Sequence, residues 1–366
     1  MLSCSEPVTW RCSQQAGLRV LQKVLLAVPI AMLVVALLAF APQRAWAQPV
    51  VDNAPAPVAT TAQPQPHLDA DTNTAAYSVQ EFDWQDSTRQ RAVPVRLYLP
   101  RVASAARPVP LIVFSHGIGG SRRGYSYLGQ FWASQGYASL HLQHVGSDRA
   151  LWVGNPITIA LRLQAAAQDS EATARVQDLR FALDQLLAGP LAPQLDASRI
   201  IAAGHSYGAN TALLVAGARV ERAGRVLDLR DARIKAAIII SAPPFYGEGQ
   251  PERILASVQV PSLHITATED IIRVPGYFSP ASDRVAVFDA TGGQAKTLAV
   301  FEGGSHSIFT DRSGPGGPVL NAQVKAATQA LSLAFLASVF DGDTAGLRLW
   351  AQRFGGLLAR TNIAAH

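Results

Sequence analysis

Arg199–Ala218 reads RIIAAGHSYGANTALLVAGA. The apolar run Ile200 to Ala203 has the composition of a short buried strand. It meets the turn Gly204-His205-Ser206-Tyr207-Gly208, and the apolar stretch Tyr207 to Ala218 behind it has helical character. A strand, a Gly-x-Ser-x-Gly turn and a helix in that order lift a serine hydroxyl above the edge of a sheet on a strained backbone. Glycine at 204 and 208 removes the β-carbons that would collide where strand and helix pass closely. The helix N-terminus then directs free amides and the positive end of its dipole at any anion formed beside Ser206. Ser206 is therefore expected to be a nucleophile on an elbow, and the alternative is a serine in an ordinary strand-to-helix turn. Residues elsewhere in the chain decide between the two.

The 366 residues are 49% hydrophobic and 16% charged, enough to bury a large core. The net charge of +5 is concentrated near the start: residues 1–47 carry Arg11, Arg19, Lys23 and Arg44 against Glu6. The rest of the chain holds 27 basic and 25 acidic residues, a formal +2. With no basic block to follow a phosphate backbone, nucleic acid is not an expected partner. Residues 24–41, VLLAVPIAMLVVALLAFA, follow the basic positions and precede Ala45-Trp46-Ala47, the small-x-small layout of a cleaved secretory signal. Export to the periplasm or medium after cleavage near Ala47 is expected, with an uncleaved membrane anchor as the alternative. Any membrane contact is expected only through that segment. Cys4 and Cys12, the two cysteines, both lie before the cleavage site, so the mature chain would hold no disulfide and no thiolate nucleophile. Residues 48–76 are rich in proline, alanine and small polar residues and read as a flexible linker. Residues 77–366 read as one catalytic domain.

Within that domain Tyr77–Trp84 and Val93–Leu99 alternate as a β-hairpin. Leu111–Phe114 is a short buried strand ending in Ser115-His116-Gly117-Ile118-Gly119-Gly120. A helix around Tyr127–Gln135 follows, stopped by Gly136, and then the strand Ala138–Leu142. Residues 146–168 lack regular apolar spacing and are broken at Asn155-Pro156, so they are expected to wander over the sheet edge and cover a pocket. A helical face returns with Val176, Leu179, Leu183, Leu186 and Leu187. Beyond the elbow, Ile234–Ile240, Pro261–Thr266 and Thr297–Phe301 read as strands, and Asn321–Phe340 and Leu347–Leu358 as helices. Strands alternating with helices predict an α/β fold: a mostly parallel sheet, helices on both faces and an N-terminal antiparallel hairpin.

A serine hydroxyl needs a base in hydrogen-bond reach and a third group to orient that base. After Ser206 the chain offers His264, His306 and His366. His264 lies inside an apolar strand, as a core histidine would. His306 sits in the glycine-rich FEGGSHS loop (Phe301–Ser307) after the last strand, where a base can lean over the elbow. The acid is expected just past the strand SLHITATED; Asp270 lies furthest beyond its end and is preferred to Glu269, with Asp289 or Glu302 next. The amide of Tyr207 and that of Ile118, in the loop where Gly117 lets the backbone turn inward, are the expected donors to an oxyanion. His116, His141, His144 and His205 lack carboxylate or cysteine company and are read as hydrogen-bonded structural residues; neither metal nor cofactor is expected. Trp152 and Phe278 are expected substrate contacts, and Trp132, Tyr246 and Tyr277 are further candidates for an acyl pocket.

The blocks FSHGIGGSRRGYSYLGQFWASQGY, GHSYGANTALL, TATED and FEGGSHSIFTD resemble the α/β-hydrolase superfamily over roughly residues 78–340. Within it the likeness is to the serine-esterase branch of bacterial dienelactone-hydrolase-like proteins and plasma-type platelet-activating-factor acetylhydrolases. The resemblance implies Ser206 as nucleophile, Asp270 as acid, His306 as base, and Ile118 and Tyr207 as amide donors. Dienelactone hydrolases proper carry cysteine where this chain has Ser206, which argues against the dienelactone substrate. The acetylhydrolases favour a further glycine where Ala209 stands. The expected activity is cofactor-free hydrolysis of a small-molecule or lipid-like ester through an acyl-enzyme. The alternatives are C–C hydrolysis or perhydrolysis on the same triad, and a non-enzymatic binding module.

Overall fold

The computed structural model describes residues 76–363, apart from residues 223, 246–249, 275–276 and 313–315. The proposed leader, the linker up to residue 75, Tyr246 and His366 lie outside the described residues. The first element is the expected hairpin, β1 (Tyr77–Asp86) and β2 (Arg91–Pro100), paired antiparallel from Tyr77↔Pro100 to Asp86↔Arg91. Asp86 makes the turn: its Oδ1 accepts the amides of Thr88 and Arg89, so the local side chain stands in for a backbone turn bond.

In chain order there follow β3 (Val109–Ser115), α1 (Ser126–Ser134), β4 (Ala138–Leu142), α2 (Pro156–Ala166), α3 (Asp169–Ala188), β5 (Leu195–His205) and α4 (Tyr207–Ala216). A small hairpin of β6 (Arg219–Arg222) and β7 (Arg225–Asp228) leads to β8 (Ile234–Ile240), α5 (Pro251–Leu255) and β9 (Ser262–Glu269). A second small hairpin, β10 (Ile272–Val274) and β11 (Tyr277–Ser279), precedes α6 (Ser282–Ala290), β12 (Lys296–Ser305), α7 (Gly317–Phe340), α8 (Ala345–Phe354) and β13 (Leu358–Asn362). Among the described residues nine strands form the main sheet, in the order β1-β2-β4-β3-β5-β8-β9-β12-β13. The pairs from β4 to β12 are parallel, and the edges β1, β2 and β13 are antiparallel.

Period-two alternation along the central strands splits the core into two layers. Leu111, Val113, Ile200, Ala202, Ala237 and Ile239 face α3 to α6. Ile112, Phe114, Ile201, Ala203, Ile238 and Ile240 face α1, α7 and α8. Strands buried on both faces read as continuous apolar runs, which is why β8 was legible as a central strand.

Two sequence expectations change. The stretch 146–168 is regular: a 3₁₀ turn at Arg149–Trp152, then α2, whose N-cap is Asn155 (Oδ1 accepts the Thr158 amide) with Pro156 at its first position. The dipeptide that looked like a break is a helix start. Ile157 and Leu161 on this helix are exposed while Ile159 and Leu163 are half-buried and Ala166 is buried, so apolar residues stand on both its faces and blur the periodicity. At the other end of the chain, the terminal helix stops at Phe354, and Leu358–Asn362 becomes β13 on the free edge of β12. Among the described residues no helix is long and apolar enough to cross a membrane.

Candidate active site

β5 delivers Ser206 directly into α4. The serine has φ 56° and ψ −123°, a positive φ that a residue with a β-carbon holds only under strain. The strain is held in place by packing. A β-carbon at Gly204 would run into the carbonyl of Gly208, and one at Gly208 into the carbonyl of Ser115. The Ser206 amide donates to the Ile240 carbonyl at 2.9 Å, and its own carbonyl accepts the Ala209 amide at 2.9 Å. The elbow is thus locked to β8 on one side and to its own helix on the other.

His306 comes to this serine from the end of β12, 100 residues later in the chain. Its Nε2 lies 2.9 Å from Ser206 Oγ and its Nδ1 lies 2.6 Å from Asp270 Oδ1. With Nδ1–H donating to the carboxylate, Nε2 is free to accept the serine proton. Asp270 is fully buried beyond the end of β9. Its Oδ2 accepts from Thr266 Oγ1 at 2.7 Å, and Arg284 Nε donates to Oδ1 at 3.4 Å. Burial alone would raise its pKa; the hydrogen bond from His306 and the charges of His306 and Arg284 overcome this and hold it well below the usual carboxylate range. The other acids stand apart. Glu269 is exposed at the strand end, Glu302 accepts from Thr268 Oγ1, and Asp289 pairs with Arg360 at 3.8 Å.

The Ile118 and Tyr207 amides have no acceptor among the described residues, Tyr207 being the first residue of α4. Ile118 lines a cavity of about 500 Å³ together with Ser206, His306, Trp152, Arg149 and Arg312. Trp152 donates from its indole to the Gly119 carbonyl at 3.2 Å and forms one wall. Phe278 does not line this cavity, contrary to expectation: it stands exposed on the β10–β11 hairpin with the Arg273 guanidinium over its ring. Trp132 is fully buried in the core, its indole donating to Ser332 Oγ.

Among the described residues the remaining histidines are buried, and each is tied in by hydrogen bonds. His264 bonds Ser262 Oγ within β9, and His141 bonds Ser139 Oγ. His205 Nε2 donates to the His306 carbonyl at 3.0 Å while Nδ1 accepts from Tyr125, whose oxygen also accepts the Gly117 amide. The base-bearing turn and the Gly117 loop are therefore linked through a neutral imidazole. Beneath that loop, Ser115 Oγ lies 3.0 Å from His144 Nε2, and His144 Nδ1 lies 3.1 Å from Asp178 Oδ2, with all three residues at 0% exposure. Sequence reading missed Tyr125, Arg284, Arg175 and Asp178. The one available signal was on α3, where Glu171, Arg175 and Asp178 recur at helical spacing beside the apolar stripe.

A family model described as platelet-activating factor acetylhydrolase, isoform II, matches residues 93–152, the segment from β2 through the Gly117 loop to Trp152. A solved ferulic acid esterase from Streptomyces cinnamoneus superposes with a TM-score of 0.54 at 24% identity, covering 75% of this chain and 93% of that one. No curated protein sequence matches. The chain has the α/β-hydrolase fold, and its residues 93–152 are similar to the platelet-activating factor acetylhydrolases.

Proposed function

We propose that this chain is a serine hydrolase of carboxylic esters. The observation that carries the reading is the hydrogen-bonded series Ser206–His306–Asp270 at 2.9 and 2.6 Å. It stands at a strained elbow beside two amides without acceptors. The related families named above are consistent with it. In this mechanism His306 takes the Ser206 proton as Oγ attacks the ester carbonyl. The Ile118 and Tyr207 amides hold the oxyanion, and His306 returns the proton to the leaving alcohol. Water, activated by the same imidazole, then cleaves the acyl-enzyme. Asp270 fixes the imidazole tautomer and stabilises its cation. The open cavity, with Trp152 as one wall, is suited to a small-molecule or lipid-like ester. Export with cleavage near Ala47 is part of the same proposal and rests on the leader pattern alone.

The test is turnover of p-nitrophenyl esters from acetate to palmitate together with labelling by a fluorophosphonate. Turnover with one label per chain is the expected result. A folded protein that neither turns over nor labels would favour a binding module on this fold.

Replacing the acid discriminates the two carboxylates. Asp270→Asn should lower kcat by roughly 10⁴-fold, because an amide there no longer selects the Nδ1–H tautomer. Glu269→Gln, at an exposed strand end, should stay within about threefold of wild type. Steady-state kinetics with both variants checks this, and the reverse ranking would move the acid to Glu269.

A further inference from the structure

Arg175 lies on α3 with no exposure to solvent, and the mechanism above does not use it. Burial lowers its pKa to about 10, with Tyr207, Glu171 and Asp178 opposing the fall, so it remains a cation at neutral pH. A buried guanidinium is costly unless its donors are met. Here they are met by the supports of the two unpartnered amides.

Nη2 donates to the His116 carbonyl, two residues before Ile118. Nη1 donates to Ser147 Oγ at 2.8 Å, and the Ser147 carbonyl accepts the Gly119 amide at 2.8 Å, one residue after Ile118. Ile118 is thus bracketed on both sides by contacts that lead to one side chain. Nε donates to Thr211 Oγ1 at 2.9 Å, and Thr211 in turn donates to the Tyr207 carbonyl at 3.2 Å. The guanidinium carbon stands 4.5 Å from the centroid of the Tyr207 ring. The charge is balanced at one remove: Ser147 donates to Glu171 Oε1 at 2.7 Å. The Ser115–His144–Asp178 series holds the same loop from its other side, since the His144 amide donates to His116 Nε2 at 3.1 Å.

We infer that Arg175 is a positioning residue that fixes the Ile118 and Tyr207 amides relative to each other and so sets how strongly the site holds an oxyanion. The inference rests on the serine-hydrolase reading. Donors act on an oxyanion only where they are held in place before charge develops. The guanidinium is a planar fork bonded directly to the start of the loop at the His116 carbonyl, to its Gly119 end through Ser147, and to the first turn of α4 through Thr211. Lysine, a single point donor, cannot span those acceptors.

The experiment uses the full chain with Arg175→Met, Arg175→Lys and Thr211→Val. Three quantities are measured: kcat and KM on p-nitrophenyl butyrate, the Kd of butylboronic acid, and the Kd of butyrate. Boron takes Ser206 Oγ and becomes tetrahedral, presenting an oxygen where the oxyanion would form, whereas butyrate stays trigonal. Arg175→Met should lower kcat about 10²-fold, the loss typical of one removed oxyanion donor, with KM within about threefold. Boronate Kd should rise by the same factor while butyrate Kd holds. Arg175→Lys should recover only part of the loss. Thr211→Val keeps the charge and its other bonds and should show the same proportionality at severalfold size. A melting-temperature loss in Arg175→Met with kcat and boronate affinity unchanged overturns the inference, as does a kcat loss without a boronate loss. If Arg175→Met does not fold, Thr211→Val decides, and unchanged kcat and boronate affinity there overturn it. A wild type without turnover or labelling overturns the hydrolase reading, and the inference with it; an active wild type with an indifferent Arg175 overturns the inference alone.

Discussion

Ser206→Ala is expected to lower kcat/KM on an activated ester by about 10⁴- to 10⁶-fold while leaving the fold intact. Removing the nucleophile of such a triad leaves only what bound donors contribute, and at roughly 1.4 kcal/mol per decade the loss amounts to about 5–8 kcal/mol of transition-state stabilisation. Nothing in the architecture needs the hydroxyl. The elbow conformation is imposed by the Gly204 and Gly208 contacts and by the Ser206 backbone bonds to Ile240 and Ala209, all of which survive in alanine. Alanine also keeps the β-carbon, so the strain at φ 56° is unchanged. Melting temperatures within about 2 °C, loss of fluorophosphonate labelling and loss of turnover should be found together. Retention of more than about 1% of activity would place the nucleophile elsewhere.

The second large effect is on stability in acid. His141, His144, His205 and His264 are held at a pKa of about 3, and His116 well below its ordinary value. Burial is the main cause. Positive neighbours add to it: Arg175 at His116 and His144, Arg96 at His141, His306 at His205 and Lys296 at His264. Between about pH 6.5 and 3 the unfolded chain binds protons at these rings that the folded chain refuses. Stability therefore falls as pH falls through that window, by roughly 1.4 kcal/mol per pH unit for each ring. Five such rings act against a total of about 5–15 kcal/mol, so cooperative unfolding is expected near pH 5. Circular dichroism against pH checks this. His264→Leu, remote from the elbow, should reduce the steepness by about one proton. A chain equally stable at pH 7 and pH 4 would contradict the assignment of neutral buried rings.

The sheet was legible because its strands are buried on both faces and so appear as unbroken apolar runs between turn residues, as in Ile234–Ile240. The elbow, Asp270 and His306 were legible because each follows a strand, at the carboxyl edge where this sheet gathers its loops. What escaped was set by tertiary contact. Leu358–Asn362 has no strong strand pattern and becomes one because β12 offers a free edge. Helix α2 hid because it carries apolar residues on both faces, Ile157 and Leu161 outward and Ile159, Leu163 and Ala166 inward. Phe278 was expected to be a substrate contact on its aromatic character alone; its ring instead meets Arg273 on a local hairpin. Arg175 is the instructive omission. A charged residue in a helix reads as a solvated face, and only the structure shows its partners arriving from the loop after β3, the loop before α2 and α4.

The buried series Ser115–His144–Asp178 has the same donors and acceptors, in the same order, as Ser206–His306–Asp270. It fastens a strand end, out of reach of any reagent, with its serine on extended backbone. In this chain, then, a hydroxyl, an imidazole and a carboxylate in line form a rivet at one place and the proposed reactive centre at the other. The difference between the two lies in a bend of the main chain and an open door. Anyone wishing to give this scaffold a second reactive serine would find the side chains already installed, and would have to supply the bend and the door.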